Sequence, residues 1–217
     1  MKHVPAVAAA LALSACASIT PNLSTVSDGK SWNVVHATAE ATDKDGKPAV
    51  RLVAEGDSNT GIVGLALPAG VEFSEGTIEI DLKGRNLRQR SFVGVAFNVV
   101  DEKRFEAVYF RPFNFAADEP WKNRAVQYIA WPVNTWEHLR THTPGQFEHA
   151  VNPVPDPEGW FHARIEVADT QVKVFVNGSK EPSLVTERLS GGGAARPVGL
   201  FVDTGDGFYA NMKVTAR

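Results

Sequence analysis

Cysteine is nearly absent from this chain, and positive charge is not in excess. The 217 residues include one cysteine, Cys16, so an internal disulfide is excluded and a redox role lacks a second thiol. Lys and Arg together number 22 against 25 Asp and Glu, which gives a formal net charge of -3. Nucleic-acid surfaces need clustered basic residues, and no such cluster alternates with aromatic residues in this sequence. We therefore do not expect nucleic acid as a partner.

Helical patterning is also missing. No segment sustains the 3.6-residue apolar period of an amphipathic helix, whereas 18 glycines and 13 prolines are spread between short runs of alternating apolar and polar residues. With 43% hydrophobic and 22% charged residues, the chain can bury one globular core. The sequence therefore predicts an all-β domain of about a dozen short strands, without a helix.

The first residues differ from the rest of the chain. A short apolar run, Val4–Leu13, leads into the tetrad LSAC, which ends at Cys16. The run is too short to span a bilayer and is typical of a secretory signal. The tetrad resembles the lipobox of bacterial lipoproteins, in which the cysteine is lipidated; a plain signal peptide cut near Ala17 is the alternative. The predicted division is a signal peptide over residues 1–16, a tether over 17–30 and a folded domain over 31–217.

This resemblance also implies a location. Ala17 follows the cysteine where an inner-membrane retention signal would have Asp, which favours the outer membrane. We expect the domain at the cell envelope, in contact with the membrane through the lipid alone.

The central stretch of the domain is Ser91–Phe115. Two alternating apolar runs flank the charged turn Asp101–Arg104, which predicts a β-hairpin. The returning run has a charged residue on each face, Glu106 on one and Arg111 on the other. Since a buried charge is costly unless it is paired, we interpret one face of the sheet as the lining of a ligand groove.

Further strands are predicted on both sides of this hairpin. They are Trp32–Ala39 and Ala49–Ala54 around an Asp-Gly turn, Gly61–Leu67, Gly76–Leu82, Ala125–Trp131, Gly159–Val167 and Gln171–Val176 before an Asn-Gly turn, Val198–Val202 and Phe208–Val214. Residues 133–157 lack a regular pattern and are expected to form a long loop. The strand list predicts a two-sheet antiparallel β-sandwich.

Three segments carry a family resemblance. They are GWFHARIEVADTQVKVFVNG (Gly159–Gly178), VGLFVDTGDGFYANMKV (Val198–Val214) and GTIEIDLKGRN (Gly76–Asn86). These segments resemble strands of the concanavalin A-like lectin and glucanase jelly rolls, which include the LamG-like domains. Within that superfamily the chain is most similar to the 3-keto-disaccharide hydrolase-like domains of secreted bacterial proteins. The resemblance implies a jelly roll with a carbohydrate-related role on its concave sheet.

One motif of that superfamily is incomplete. Glu79 and Asp81 match the start of the E-x-D-x-E signature of family 16 glycoside hydrolases, but Lys83 stands where the acid/base would be. Retaining hydrolysis needs two carboxyl groups flanking the glycosidic bond. We therefore interpret Glu79 and Asp81 as a solvated strand face.

The candidate site combines groups that stack on sugars with groups that hydrogen-bond their hydroxyls. The expected ligand-binding residues are Asn98, Tyr109, Arg111, Gln127, Trp131 and Trp136, with Trp121, His138 and Arg140 at the rim. For an enzyme, Glu106 is the first choice of acid or base and His138 the second. The alternative for Glu106 or Arg111 is a structural buried ion pair.

The sequence supports a metal site less well than a saccharide site. His138 and His142 would share a helical face, but Thr143-Pro144-Gly145 argues against a helix, and we expect no zinc. A calcium site or a turn would both explain Asp203 and Asp206 beside Gly205 and Gly207. We favour the turn and expect no cofactor.

The sequence thus predicts a lipid-anchored envelope domain that binds a saccharide. The alternatives are a hydrolase or lyase acting on a disaccharide or 3-keto-glycoside, and a scaffold that binds another protein.

Overall fold

A computed structural model describes residues 18–57 and 59–217 of the chain. The predicted signal peptide and Cys16 lie outside the described residues. Within the described part, no helix is long and apolar enough to cross a membrane.

Nearly all regular structure is β. The described strands are β1 (Ser18–Ile19), β2 (Trp32–Val35), β3 (Ala37–Lys44), β4 (Lys47–Ala54), β5 (Gly64–Pro68), β6 (Glu72–Phe73), β7 (Gly76–Lys83), β8 (Phe92–Asp101), β9 (Arg104–Phe110), β10 (Val126–Ala130), β11 (Glu148–His149), β12 (Phe161–Val167), β13 (Gln171–Val176), β14 (Leu184–Glu187), β15 (Arg196–Pro197), β16 (Gly199–Asp203) and β17 (Asp206–Ala216). The helices are α1 (Trp136–His142) and three 3-10 helices at Leu23–Thr25, Pro112–Asn114 and Trp121–Arg124.

The strands form two large antiparallel sheets. Sheet 1 has the order β14-β13-β12-β7-β17-β4-β3, with β1 paired to β17. Sheet 2 has the order β11-β10-β9-β8-β16-β5-β2, and β15 pairs with β6 in a short ribbon. This arrangement confirms the predicted two-sheet antiparallel β-sandwich.

Alternation of side chains explains why sheet 1 forms as predicted. In β7 the residues Ile78, Ile80 and Leu82 are fully buried, whereas the residues between them are half-buried. Strand side chains alternate between faces, so the isoleucines and leucine point between the sheets and Glu79 and Asp81 point outward. The expected solvated face is thus on the outside of sheet 1.

The inner face of sheet 2 completes the core. Phe110 of β9 contacts Phe161 of β12 edge to face, with 5.0 Å between ring centroids, and Val93, Val95 and Phe97 are fully buried on the same side. Burial of these apolar side chains between the sheets is the main stabilising contribution to such a sandwich.

Two predicted boundaries change. His36 has a φ of 52°, and the segment predicted as one strand divides there into β2 of sheet 2 and β3 of sheet 1. Residues 18–30, predicted as a tether, pack on the sandwich, where β1 extends sheet 1 and Val26 is 3% exposed.

The expectation that residues 133–157 contain no helix is wrong. Thr135 caps α1 by accepting a hydrogen bond from the His138 amide, and Leu139 is buried. Pro144 lies beyond the C-terminal cap at Thr143, so it ends the helix rather than preventing it.

Candidate functional site

The outer face of sheet 2 carries a row of side chains in register. Phe201 lies opposite Gly94, Gly94 opposite Tyr109, Tyr109 opposite Gln127, and Gln127 opposite Glu148. Phe201 and Tyr109 stack across the glycine with 5.4 Å between their ring centroids. The row therefore runs from an apolar end to a polar end.

Gly94 permits this stacking because it has no side chain. A Cβ at Gly94 would meet the Val108 carbonyl oxygen and the Cα and Cβ atoms of Tyr109. Any larger residue would push the β9 strand or the Tyr109 ring out of place. Gly94 thus shapes this surface of sheet 2.

A buried hydrogen-bond network holds the polar end. The Arg111 Nη2 atom donates to the Tyr109 hydroxyl at 2.9 Å and to Gln127 Oε1 at 2.6 Å, while Nη1 donates to the Arg124 carbonyl at 2.9 Å. Burial raises the pKa of Tyr109 to about 12, so its hydroxyl stays protonated and donates to Gln127. Burial also lowers the pKa of Arg111, against the opposing effect of nearby carboxylates.

Glu148 collects three guanidinium groups beside this network. Arg140 of α1 donates to its two carboxylate oxygens at 2.8 and 2.5 Å, which is a bidentate pair. Arg124 and Arg111 approach the same carboxylate at 3.7 and 3.8 Å. The Glu148 side chain is 7% exposed, so this cluster also fixes α1 and the Trp121–Arg124 helix against the edge of sheet 2.

A cavity of about 570 Å³ opens above the side chains of Tyr109, Arg111 and Gln127, which form its floor. Its volume is within the range of small-molecule sites. Its walls are formed by the loops between β4 and β5 and between β7 and β8, the turn after β16, the 3-10 helices at Pro112–Asn114 and Trp121–Arg124, and α1. Its aromatic lining residues are Phe92, Tyr109, Phe113, Trp121 and Trp136, and its arginines are Arg88, Arg90, Arg111, Arg124 and Arg140.

Arginine and aromatic side chains are paired around the cavity. The guanidinium carbons of Arg88 and Arg124 lie 4.2 and 5.0 Å from the centroid of the Trp121 ring. Arg140 lies 4.8 Å from the centroid of the Trp136 ring. These distances are those of cation–π contacts, which hold the long side chains in place while their remaining donors stay accessible.

The structure brings together three of the predicted ligand-binding residues. Tyr109, Arg111 and Trp136 line the cavity, and the predicted rim residues Trp121 and Arg140 line it with them. Gln127 lies in the floor, and its Nε2 atom is buried without a hydrogen-bond acceptor among residues 18–57 and 59–217.

Glu106, the first-choice acid or base, lies on the opposite face of the sheet. It is 0% exposed and accepts hydrogen bonds from Asn98 at 2.8 Å, Tyr128 at 2.5 Å and Arg188 at 3.1 Å. Burial and the Glu106 charge raise the pKa of Tyr128. The geometry matches the alternative that the sequence left open, a structural ion pair between the sheets.

Asn98 leaves the outer face because of a backbone irregularity. Strand parity would place it beside Ala96, but the register of β8 and β9 shifts after Phe97 and Asn98 has a φ of 50°. Asn tolerates this left-handed conformation better than most residues. The shift turns its amide toward Glu106 instead of the cavity.

The two remaining predicted residues are displaced along the sheet. Trp131 follows β10 and packs on Phe105 at 5.2 Å, at the far end of the strand from Arg111. His138 is exposed on α1, where its ring stacks on His142 at 4.2 Å. Neither residue lines the cavity.

Several cavity residues were missed by the sequence analysis. Arg88 and Arg90 belong to the segment RNLRQRSF (85–92), which has three arginines in six residues just before the central hairpin. That local cluster was the available signal. Arg124 and Phe113 lie in 3-10 helices, and nothing in the pattern distinguished them.

The predicted turn at the cavity edge uses its two aspartates differently. Asp206 accepts hydrogen bonds from Arg85 and Arg51, and these partners outweigh burial and lower its pKa. Asp203 lines the cavity and accepts from Thr204 at 2.7 Å. In the part of the chain that the structure describes, no three His, Cys, Asp or Glu residues are grouped as metal ligands would be.

Solved structures identify the fold. The carbohydrate-binding module CBM66 from Bacillus subtilis superposes with a TM-score of 0.58 at 14% identity, covering 84% of this chain and 94% of that one. A Bacillus subtilis protein of unknown function with a galectin-like fold gives 0.57 at 13%, covering 91% and 94%. The Bacillus licheniformis beta-glucanase gives 0.51 at 11%, covering 86% and 92%. The chain has the concanavalin A-like jelly-roll fold.

No protein-family profile matches the chain. No curated protein matches it by sequence.

Proposed function

We propose that this jelly roll binds a saccharide in the cavity over sheet 2. The observation that supports the proposal is the lining, in which five aromatic side chains and a fixed network of hydrogen-bonding groups share about 570 Å³. Saccharides are bound by stacking their C–H faces on rings while polar groups contact their hydroxyls. The similarity in fold to a module named for carbohydrate binding supports the same ligand class.

The floor of the cavity is rigid, which favours tight binding of a ligand that matches it. Tyr109, Gln127 and Arg111 are buried and hydrogen-bonded to one another on adjacent strands. Groups held on a sheet lose little conformational freedom when a ligand binds, so more of the contact free energy contributes to affinity.

The test is calorimetric titration of the full chain with a panel of neutral and charged oligosaccharides, followed by mass spectrometry for products. Trp136→Ala should weaken binding by about tenfold or more, since a stacking side chain in a site contributes about 1–3 kcal/mol. Trp160→Ala is the matched control. Its ring also carries a cation, Lys47 at 4.7 Å, but it is on the sheet 1 side.

Binding that survives Trp136→Ala unchanged would place the ligand elsewhere on the chain. Absence of binding to every saccharide would overturn the proposal. Product formation that is lost in Trp136→Ala would show that the same cavity is catalytic, and Asp57 and Asp203 are the carboxylates that line it.

We also propose that the domain is anchored at the cell envelope through Cys16, on the basis of the LSAC tetrad. A chain labelled with a fatty acid in cells, and no longer labelled after Cys16→Ala, is the expected result. A protein released to the soluble fraction in both forms would contradict it.

A further inference from the structure

Positive charge is concentrated in the cavity. Five arginines line it, against the lining carboxylates Asp57 and Asp203 and the adjacent Glu148. Five guanidinium groups against three carboxylates leave an excess of two positive charges, although the whole chain has a formal net charge of -3. A concave site with an excess of one sign attracts ligands of the other sign.

The floor arginine is incompletely neutralised by its ion-pair partner. Arg111 is 5% exposed, and its three hydrogen bonds go to neutral acceptors. The Glu148 carboxylate approaches it only to 3.8 Å and is already held by Arg140 at 2.5 Å. A buried cation is costly unless an anion contacts it, so an anionic ligand group above the floor would be favoured.

Two rim arginines have no carboxylate partner among the residues that the structure describes. No ion pair or hydrogen bond involves the Arg88 or Arg90 guanidinium within residues 18–57 and 59–217, and both side chains are exposed at the cavity edge. Arg88 is positioned by the Trp121 ring instead. Guanidinium groups present two parallel donors that match the oxygens of a carboxylate, sulfate or phosphate.

The Trp121 ring at the rim is already covered. Arg88 and Arg124 both lie against Trp121, so a sugar that stacks there must compete with two guanidinium groups. A ligand that contacts the guanidinium donors themselves needs no such competition. The arrangement therefore favours charge recognition at this wall, with Phe113 left for apolar contact and Trp136 covered by a single guanidinium group, that of Arg140.

We propose that the saccharide carries an anionic group, which is held by Arg88 and Arg90 of the β7–β8 loop above the Arg111 floor. This inference rests on the proposed function and specifies the substrate class of the same site. A polynucleotide is a poorer match, because its phosphates need a charged groove that follows the backbone. Here the charges surround a single cavity.

The experiment compares matched neutral and acidic sugars on the full chain by calorimetry. The pairs are galactobiose with digalacturonate, lactose with 6-O-sulfated lactose, and maltose with its 6-phosphate, so that carboxylate, sulfate and phosphate are distinguished. At least one acidic member should bind about tenfold or more tightly than its neutral partner, and raising NaCl should weaken that binding alone.

The variants test the residues named. The double variant Arg88→Gln, Arg90→Gln should remove the preference for the acidic member, while Arg196→Gln, an exposed arginine outside the cavity, should keep it. Both loop residues are exposed, so circular dichroism and the melting temperature should match the wild type. A double lysine variant at 88 and 90 should recover part of the preference through charge alone.

Each other outcome has a defined meaning. Equal binding of acidic and neutral members would overturn this inference and leave saccharide binding intact. Binding of no sugar would overturn both. Tighter binding of a single-stranded oligothymidylate than of any sugar would replace the saccharide with nucleic acid.

Discussion

The two outer faces of the sandwich handle charge in opposite ways. On sheet 1, the Asp81 carboxylate lies 2.7 Å from Lys47 Nζ and 2.8 Å from His162 Nδ1. The Glu79 carboxylate lies 3.5 Å from Lys213 Nζ. Both of these carboxylates have cationic neighbours on other strands of the same sheet. On sheet 2, arginines outnumber the carboxylates beside them.

The difference shows where a ligand is needed. Charges that neutralise one another on an exposed strand face are a common solvated surface, and they contribute little to stability. Charges gathered in a cavity without enough counterions keep a potential that a ligand can satisfy. The number of charged residues alone would not have distinguished the two faces.

The largest loss of stability should come from breaking the buried ion pair between Glu106 and Arg188. Glu106→Ala should lower the free energy of unfolding by about 3–5 kcal/mol, because it leaves the Arg188 charge buried and unpaired. Chemical denaturation measures this change. Saccharide affinity of the folded fraction should not change, since Glu106 faces away from the cavity.

Replacing both partners is the control. Glu106→Leu with Arg188→Met should recover most of the loss, because the unpaired charge is no longer created. A stable Glu106→Ala protein that has lost ligand affinity would instead assign Glu106 to the site.

Two arginines with similar partners give a direct comparison of the faces. Arg140 pairs with Glu148 and lies over Trp136, and Arg164 of sheet 1 pairs with Glu166 and lies over Phe175. Arg140→Met should cost about 1.5–3 kcal/mol, since it removes charge-assisted bonds to a nearly buried carboxylate. Saccharide affinity should fall with it.

Arg164→Met should cost less than about 1 kcal/mol, because its carboxylate partner is more than a third exposed. Affinity should be unchanged. Equal losses of stability in the two variants, measured by denaturation, would remove the contrast between the faces.

The sequence predicted the fold well because the fold depends on local patterns. Alternation placed Ile78 and Ile80 inward, and the Asp45-Gly46 step formed a turn with φ values of 58° and 74°. Such turns require the left-handed region, which glycine and aspartate enter more readily than most residues. These signals are contained in windows of a few residues.

Only some of the cavity-lining residues were among those predicted, because the lining comes from distant segments of the chain. Tyr109 and Arg111 were among the predicted residues because a charged residue in an apolar hairpin needs a partner or a ligand, whereas Arg88 and Arg124 join them only through packing of separate loops. Asn98 was misplaced because strand parity assumes a regular ladder. A bulge reverses that parity, and the residue pattern around it is the same either way.

The pH dependence of stability should come from sheet 1. The hydrogen bond to Asp81 raises the pKa of His162 in the folded protein above 6.5. The contribution of His162 to stability is therefore complete below pH 6.5 and is lost as the pH rises through the pKa of the folded state. Burial opposes, but hydrogen bonds from His162, Lys47 and Asn211 outweigh it and lower the pKa of Asp81 below 3.8. Its stabilisation is lost as the pH falls toward the folded value.

Both effects depend on one carboxylate. Wild-type stability should be greatest between pH 3.8 and 6.5, and Asp81→Asn should lower the melting temperature most in that window. Melting curves across the pH range measure this, with Glu166→Gln as a control on the same face. A pH profile unchanged by Asp81→Asn would show that His162 titrates independently.

The smallest effect should come from an exposed ion pair on sheet 1, Lys213 with Glu79. Lys213 is 48% exposed and lies 3.5 Å from Glu79, so Lys213→Met should change the free energy of unfolding by no more than about 0.5 kcal/mol. Saccharide affinity should also stay constant, because the residue is on the far side of the sandwich from the cavity. A loss above about 1 kcal/mol in denaturation would mean that the charges of sheet 1 act as a coupled network rather than as solvated pairs. In that case the outer face of sheet 1 would need its charges neutralised in order to be stable. The unneutralised arginines over sheet 2 would then lower the stability of the free protein, and a bound anion would offset that loss.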